Sequence, residues 1–463
     1  MLIRFAVENF LSFKNMTEFS MMAGKITRHS NHIALCNDKR VLKSAFLFGA
    51  NASGKTNLIR AIDFAHDIIT LGLEFTNCSK KYFRIDPDCK DQPGVFQFDI
   101  FSGGHFYSYG FAISYSDPSI EEEWLYRLND DGDFCVFLRS KSENGKSYHF
   151  SSDIKFRNEV QQTRFNIYAS DISTEKMKQR LFLSDVIMRS PDDEPEYQAF
   201  RDVMAWFSRL IVIFPESKYS GITHLLDNND KKNSLESLLN YFDTGIHAVL
   251  KNEVEFDKVF SFLPKNVLDR LKLDLEKQLT EDDQTVLVQQ DSLLIEVVKK
   301  GDSLLAYEVV SDHGNRSDLF EYGDESDGTR RLFNLIPVYH KIFENCVIII
   351  DELDRSLHTK ASLEFINHFY HMAENTSAQL IITTHDSNIM DLDFVRQDEI
   401  WFIERQDDHS SNLYSLNKFK ARFDTKVGKH YLLGRYGSIP IFRQMSLDSS
   451  LAEDGEEDGR QSQ

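Results

Sequence analysis

Phe46-Leu47-Phe48-Gly49-Ala50-Asn51-Ala52-Ser53-Gly54-Lys55-Thr56 decides the fold of this chain. Residues 49–56 fit the spacing G-x-x-x-x-G-K-[ST], in which glycines let successive N–H groups turn inward around phosphate oxygens. The apolar strand Ser44–Phe48 runs into the loop. Behind it Leu58, Ile59, Ile62, Ala65 and Ile69 recur at helical spacing, and Gly72 stops the helix. Strand, glycine loop and amphipathic helix form the context that separates a phosphate cradle from a chance match. The helix start aims its positive dipole end at the same anion. Lys55 would neutralise the β- and γ-phosphates, and the Thr56 hydroxyl would hold Mg²⁺. Gly49, Asn51, Ala52, Ser53, Gly54, Lys55, Thr56 and Asn57 are the candidate ATP-binding residues.

Two further stretches fit around the same nucleotide, and a third is a candidate for a neighbour's. Val347-Ile348-Ile349-Ile350-Asp351-Glu352 is an apolar run ending in two acids, and strand ends are where α/β sheets place active sites. Asp351 would bind Mg²⁺ through water, and Glu352 would orient or deprotonate the attacking water. Taken alone, such a run reads equally well as a capped strand end; the phosphate loop tips the balance. Leu380-Ile381-Ile382-Thr383-Thr384-His385 is a second such strand, one helix later. His385 would sit beside the γ-phosphate, so Lys55, Glu352 and His385 are the candidate catalytic residues. Ser326-Asp327-Gly328-Thr329 opens a helix carrying Leu332, Phe333, Leu335, Ile336 and Tyr339. A Ser- and Gly-led helix start is a second anion device. With one nucleotide already served by residues 49–56, Ser326 and Gly328 are expected to meet a nucleotide on another subunit.

Working outward, the chain opens with short strands, Val7–Phe13 being one that breaks into a turn. Residues 93 to about 151 alternate apolar and polar, with Gly103-Gly104 and Asp131-Gly132 turns, and predict an antiparallel meander. Residues 155–284 read as a mainly helical inserted lobe; Leu238, Leu239, Phe242, Ile246, Val249 and Leu250 are one helical pattern, Val267 to Leu275 another. A strand pair is expected around 286–309, turning at Lys300-Gly301-Asp302. Residues 1–154 and 285–445 then make two parts of one head. The tail 446–463, with Ala452-Glu453-Asp454-Gly455-Glu456-Glu457-Asp458, is expected to be disordered.

Bulk properties bound the partners. The 463 residues carry 53 Lys and Arg against 73 Asp and Glu, a formal charge of -20, which argues against broad coating of nucleic acid. Net charge does not report how charge is distributed, so direct nucleic-acid contact stays open. Five widely spaced cysteines, none in a C-x-x-C pair, indicate neither a disulfide framework nor a zinc site. Met1–Phe5 is not a signal peptide and no apolar run is long enough to span a bilayer, so a cytoplasmic protein without a membrane partner is expected.

The order of these motifs resembles the ABC-type ATPase heads of the SMC, DNA-repair and OLD-like group, over residues 1–150 and about 285–440. It is most similar to stand-alone ATPases of bacterial abortive-infection and anti-phage systems. Glu325-Ser326-Asp327-Gly328-Thr329 resembles their signature loop, and Asp351–His358 their Walker B strand and following turn. The resemblance implies an α/β fold, a P-loop head with a mixed sheet plus the antiparallel meander and the inserted lobe. It also implies homo-oligomers built through the heads, a TOPRIM-type effector nuclease as partner, and a phage-encoded trigger protein. Two positions depart from transporter heads: Asp327 stands for the first signature glycine, and His358 for the D-loop aspartate. An SMC-like ATPase acting in DNA repair is the alternative, but it calls for a long coiled coil or a basic lobe, and neither is evident. A transporter subunit is disfavoured by the long insertion, and an OLD-type nuclease would need a TOPRIM domain after residue 417.

Overall fold

The computed structural model describes residues 1–142, 145, 147–190, 194–216, 222–279, 285–290, 293–301, 303–419 and 426–439. The acidic tail lies outside them. Two sheets and one helix position the site. The expected meander is a seven-stranded antiparallel sheet in the order Tyr148–Ser151, Phe134–Lys141, Ser119–Leu128, His105–Ser114, Gly94–Ser102, Leu2–Glu8 and Thr17–Ser20. The second sheet runs Leu210–Ile213, Val347–Ile350, Gln379–Thr383, Ser44–Phe48, Ile400–Arg405 and Ser411–Ser415, parallel except for the last strand. It is the mixed sheet expected of the α/β head.

Strand geometry sorts the apolar residues into two cores, because successive side chains point to opposite faces. Ala45, Leu47, Val347 and Ile349 face a core shared with the helix Lys55–Thr70 and the meander. Phe46, Phe48, Ile348 and Ile350 face the other, packed with Leu332, Leu335, Phe365 and Phe369 from the helices Asp327–Leu335 and Thr359–Met372. Burial on both faces explains why these strands read as continuous apolar runs. The Phe-rich composition goes mainly into the first core, where Phe5, Phe10, Phe96, Phe98 and Phe111 sit fully buried beside the helix. Each such ring contributes about 1.5–3 kcal/mol relative to exposure.

The stretch 155–284 divides. Helices Glu159–Ile172, Phe182–Arg189 and Gln198–Phe207 join the meander core through Phe165, Phe182 and Phe200. Leu210–Ile213 is then an edge strand of the nucleotide sheet rather than part of a helical lobe, paired in parallel with Val347–Ile350. Helix Asn229–Tyr241 follows, but Val249 and Leu250, read above as helical, lie in the strand Ala248–Val254. That strand pairs with Ser303–Asp312, and Leu293–Lys300 and Thr285–Gln290 follow in turn in the same antiparallel sheet. Together with helix Lys265–Gln278 this sheet encloses a small separate core around Phe256, Phe260, Leu275 and Ile295. The sheet-versus-helix errors share a cause: apolar runs of four to seven residues carry no decisive period, and pairing settled them. No described helix is long and apolar enough to cross a membrane.

Candidate functional site

The phosphate loop leaves the strand Ser44–Phe48 and enters the helix at Lys55. Gly54 has φ 111°, a left-handed conformation that a side chain disfavours, and a β-carbon there would run into the Ser411 and Ser12 hydroxyls. Ser411 Oγ donates to Ser53 O at 2.6 Å, and its N–H donates to Ser12 O at 2.7 Å. Asn57 Nδ2 donates to Ser12 Oγ at 2.9 Å. The loop is thus braced from behind by the Asn9–Phe13 turn and by the strand Ser411–Ser415. Asn57, counted above with the nucleotide ligands, is engaged in that brace. Asn51 and Ala52 stand exposed at the tip, Ala52 at φ 61°.

Lys55 is buried, and its Nζ donates to Gly49 O at 2.8 Å and Ala50 O at 3.1 Å. Burial pushes the ammonium down to about 8; Asp351, Glu352 and Asp354 pull in the opposite direction. Ser53 Oγ is buried with no hydrogen-bond partner among the described residues.

Both carboxylates arrive from Val347–Ile350. Asp351 is buried and its Oδ1 accepts from the Thr383 hydroxyl. The same hydroxyl oxygen accepts from Glu352 N at 2.8 Å, and Thr383 O accepts from Leu353 N at 3.1 Å. Glu352 has φ 48°, a left-handed residue that turns the chain as it leaves the strand. Thr56, Asp351 and Glu352 line one cleft of about 460 Å³ with Arg60, Asp63 and Arg355. Asp63, desolvated and next to Asp67, is raised to about 6. His385 follows the strand Gln379–Thr383, and its N–H donates to the Asp354 carboxylate at 3.2 Å. Desolvation and then the Lys55 charge hold its imidazole below the usual value, which favours the neutral ring.

Lys55, Asp351, Glu352 and His385, distant in sequence, therefore share one electrostatic neighbourhood. Lys55, His385, Ser326 and Gly328 do not line the cleft itself. Ser326 caps the helix Asp327–Leu335, its Oγ accepting from Thr329 N at 3.1 Å. Gly328 faces the turn after the carboxylates, where a β-carbon would lie 3.0 Å from Ser356 O. His358, at the D-loop aspartate position, caps the helix Thr359–Met372.

The residues present fit Mg·ATP. The unpartnered Ser53 hydroxyl and the inward lysine suit phosphate oxygens, and Thr56 with Asp351 is an all-oxygen donor set of the kind Mg²⁺ takes. Sequence reasoning left Thr383 and Asp354 without roles, although both lie in the stretches it singled out. It missed Ser12, Ser411, Arg331 and Arg355, which carry no spacing signal.

A family described as "AAA domain, putative AbiEii toxin, Type IV TA system" matches residues 44–391. No curated protein matches the chain. Among solved structures, the SMC head domain from Thermotoga maritima aligns at 10% identity and TM-score 0.33, over 89% of this chain and 98% of that one. The Smc head domain with a coiled coil and joint from Pyrococcus yayanosii aligns at 11% identity and TM-score 0.35, over 93% and 99%.

Proposed function

Because the chain belongs to the family of AAA domains described as putative AbiEii toxins of type IV toxin–antitoxin systems, we propose that it is an ATPase of an abortive-infection, anti-phage system. The observation carrying the ATPase reading is that Asp351 and Glu352 line one cleft with Thr56 while their charges, with that of Lys55, act on His385. On ATP binding, Lys55 would leave the Gly49 and Ala50 carbonyls for the β- and γ-phosphates, and the 49–54 amides would wrap the same oxygens. Thr56 and Asp351 would hold Mg²⁺, which supplies charge neutralisation at the phosphates. Glu352 would orient and deprotonate the attacking water while neutral His385 hydrogen-bonds near the γ-phosphate. Water oxygen then bonds to the γ-phosphorus as the bridging bond to ADP breaks.

The wider reading is an oligomeric sensor. Ser326 and Gly328 would engage ATP held by a neighbouring head, so nucleotide clamps the heads together. The clamped assembly would hold a TOPRIM-type effector nuclease and release it when a phage-encoded trigger engages. The chain's size, inserted segment and acidic tail resemble the ATPase subunit of PARIS-type anti-phage systems, which supports that choice of partner.

The test is Glu352→Gln in the full chain, followed by ATP binding, turnover and sedimentation with Mg·ATP. Turnover should fall by about 10²-fold or more while ATP stays bound and the assembly grows. If turnover and assembly both match the wild type, the role given to Glu352 is wrong.

A further inference from the structure

Arg331 is the residue the proposed mechanism leaves unused. It sits in the helix Asp327–Leu335, directly behind the Ser326–Gly328 loop, and is 6% exposed. A buried guanidinium ordinarily has a carboxylate partner. Arg331 has no ion pair among the described residues, and its Nε has no hydrogen-bond partner there. Its remaining nitrogens go to backbone carbonyls: Nη2 donates to Asp351 O at 3.2 Å and Glu352 O at 3.3 Å, and Nη1 to Phe214 O at 3.4 Å.

Those two acid carbonyls belong to the peptide units on either side of the Glu352 α-carbon. The N–H groups of the same two units go to Thr383, Glu352 N to its hydroxyl and Leu353 N to its carbonyl. Glu352 is therefore pinned by acceptors and donors at once, at a φ of 48° that a non-glycine residue adopts only when its surroundings fix it. Thr383 belongs to the strand that leads to His385. Arg331 belongs to the helix whose start was assigned to a neighbour's nucleotide. A shift of that helix would carry Arg331 with it, and with Arg331 the two hydrogen bonds to the backbone around Glu352.

We infer that Arg331 is a positioning residue that ties the orientation of Glu352 to the Ser326–Gly328 loop, so that hydrolysis in one head answers to what its loop engages. The inference rests on the ATPase reading above and adds a coupling between the two nucleotide contacts.

Arg331→Gln and Arg331→Lys in the full chain test it by four measurements: melting temperature, affinity for a fluorescent ATP analogue with Mg²⁺, turnover, and amide exchange at residues 352 and 353. With Arg331→Gln, affinity should stay within about threefold of wild type while turnover drops about tenfold or more. The two amides should exchange about tenfold faster, with the amides of 54–58 unchanged. Arg331→Lys keeps the charge but not the fork, and should give intermediate turnover. Unchanged turnover with unchanged exchange overturns the inference. So does a parallel loss of affinity, turnover and melting temperature in both variants, which is what a merely structural arginine would give. If Arg331→Gln does not fold, Arg331→Lys decides: wild-type exchange at 352 and 353 overturns the coupling. A wild-type protein that neither binds nor hydrolyses Mg·ATP would sink the ATPase reading instead, while the exchange measurement still reports on Arg331.

Discussion

Gly54→Ala tests the brace behind the phosphate loop. At φ 111° the new methyl meets a left-handed backbone that disfavours it by about 1–2 kcal/mol. The β-carbon would also lie 2.2 Å from Ser411 Oγ and 2.8 Å from Ser12 Oγ, both closer than real contacts allow. Forcing that space adds about 1–3 kcal/mol. The free loop escapes by moving, so the strain reappears when nucleotide requires the original shape. The combined roughly 2–5 kcal/mol predicts an ATP dissociation constant raised roughly 30- to 5000-fold. Ser411→Ala alone removes the 2.6 Å bond to Ser53 O and weakens binding by only about 0.5–1.5 kcal/mol. In the double variant the worst clash is gone and the backbone term remains. It should therefore bind about 5- to 30-fold more tightly than Gly54→Ala, which with the loss from Ser411→Ala alone makes a coupling of about 1.5–3.5 kcal/mol. Titration with a fluorescent ATP analogue at fixed Mg²⁺ measures all four corners of the cycle. Gly54→Ala binding within about threefold of wild type, or a double variant weaker than Gly54→Ala, refutes the reasoning.

Three further outcomes follow from other contacts. Lys55 in the free protein titrates at about 8, and a bound triphosphate favours its charged form, so binding at pH 8 should take up about half a proton. Calorimetry in two buffers of different ionisation enthalpy measures this; affinity should fall as pH rises above 8, whereas the free protein gains stability from this group toward its ordinary 10.5, because the buried charge is relieved. Thr383→Val removes the hydroxyl that serves both Asp351 and Glu352 N, leaving a partly buried N–H unpaired at about 1 kcal/mol; single-turnover assays should show hydrolysis falling roughly tenfold with ATP affinity little changed. Glu399→Ala strips the acceptor from Ser44 Oγ (2.7 Å), Arg396 N (2.7 Å) and His32 Nδ1 (3.1 Å), all buried, and should destabilise the chain by about 3–5 kcal/mol; a melting temperature within about 2 °C of wild type would contradict it.

Much of the site is legible in the sequence, because its chemistry sits at the ends of uniformly apolar strands. Ser44–Phe48, Val347–Ile350 and Gln379–Thr383 are buried on both faces, and such strands announce themselves without homologues. What is not legible depends on contacts between distant segments. The lateral order of the six strands leaves no trace in any one of them. Leu210–Ile213 is too short to show a period, and it becomes a strand because Val347–Ile350 offers an edge. Arg331 reads as a solvated charge on a helix until carbonyls from residues 214, 351 and 352 surround it. Ser411 gains its role only because the final hairpin folds back onto Gly54.

The strand that carries the phosphate loop lies between Gln379–Thr383 and Ile400–Arg405, segments that leave the ribosome long after it does. At roughly 5–20 residues per second, a nascent chain holds its fully apolar Ser44–Phe48 segment without either neighbour for tens of seconds. The antiparallel sheet of the first half can form meanwhile, since nearly all its pairs join consecutive segments. The nucleotide sheet around the phosphate loop is thus complete only once Ile400–Ser415 have been made. A product truncated before them would expose unpaired β-edges along Ser44–Phe48, which makes premature termination here a matter for chaperones and proteases.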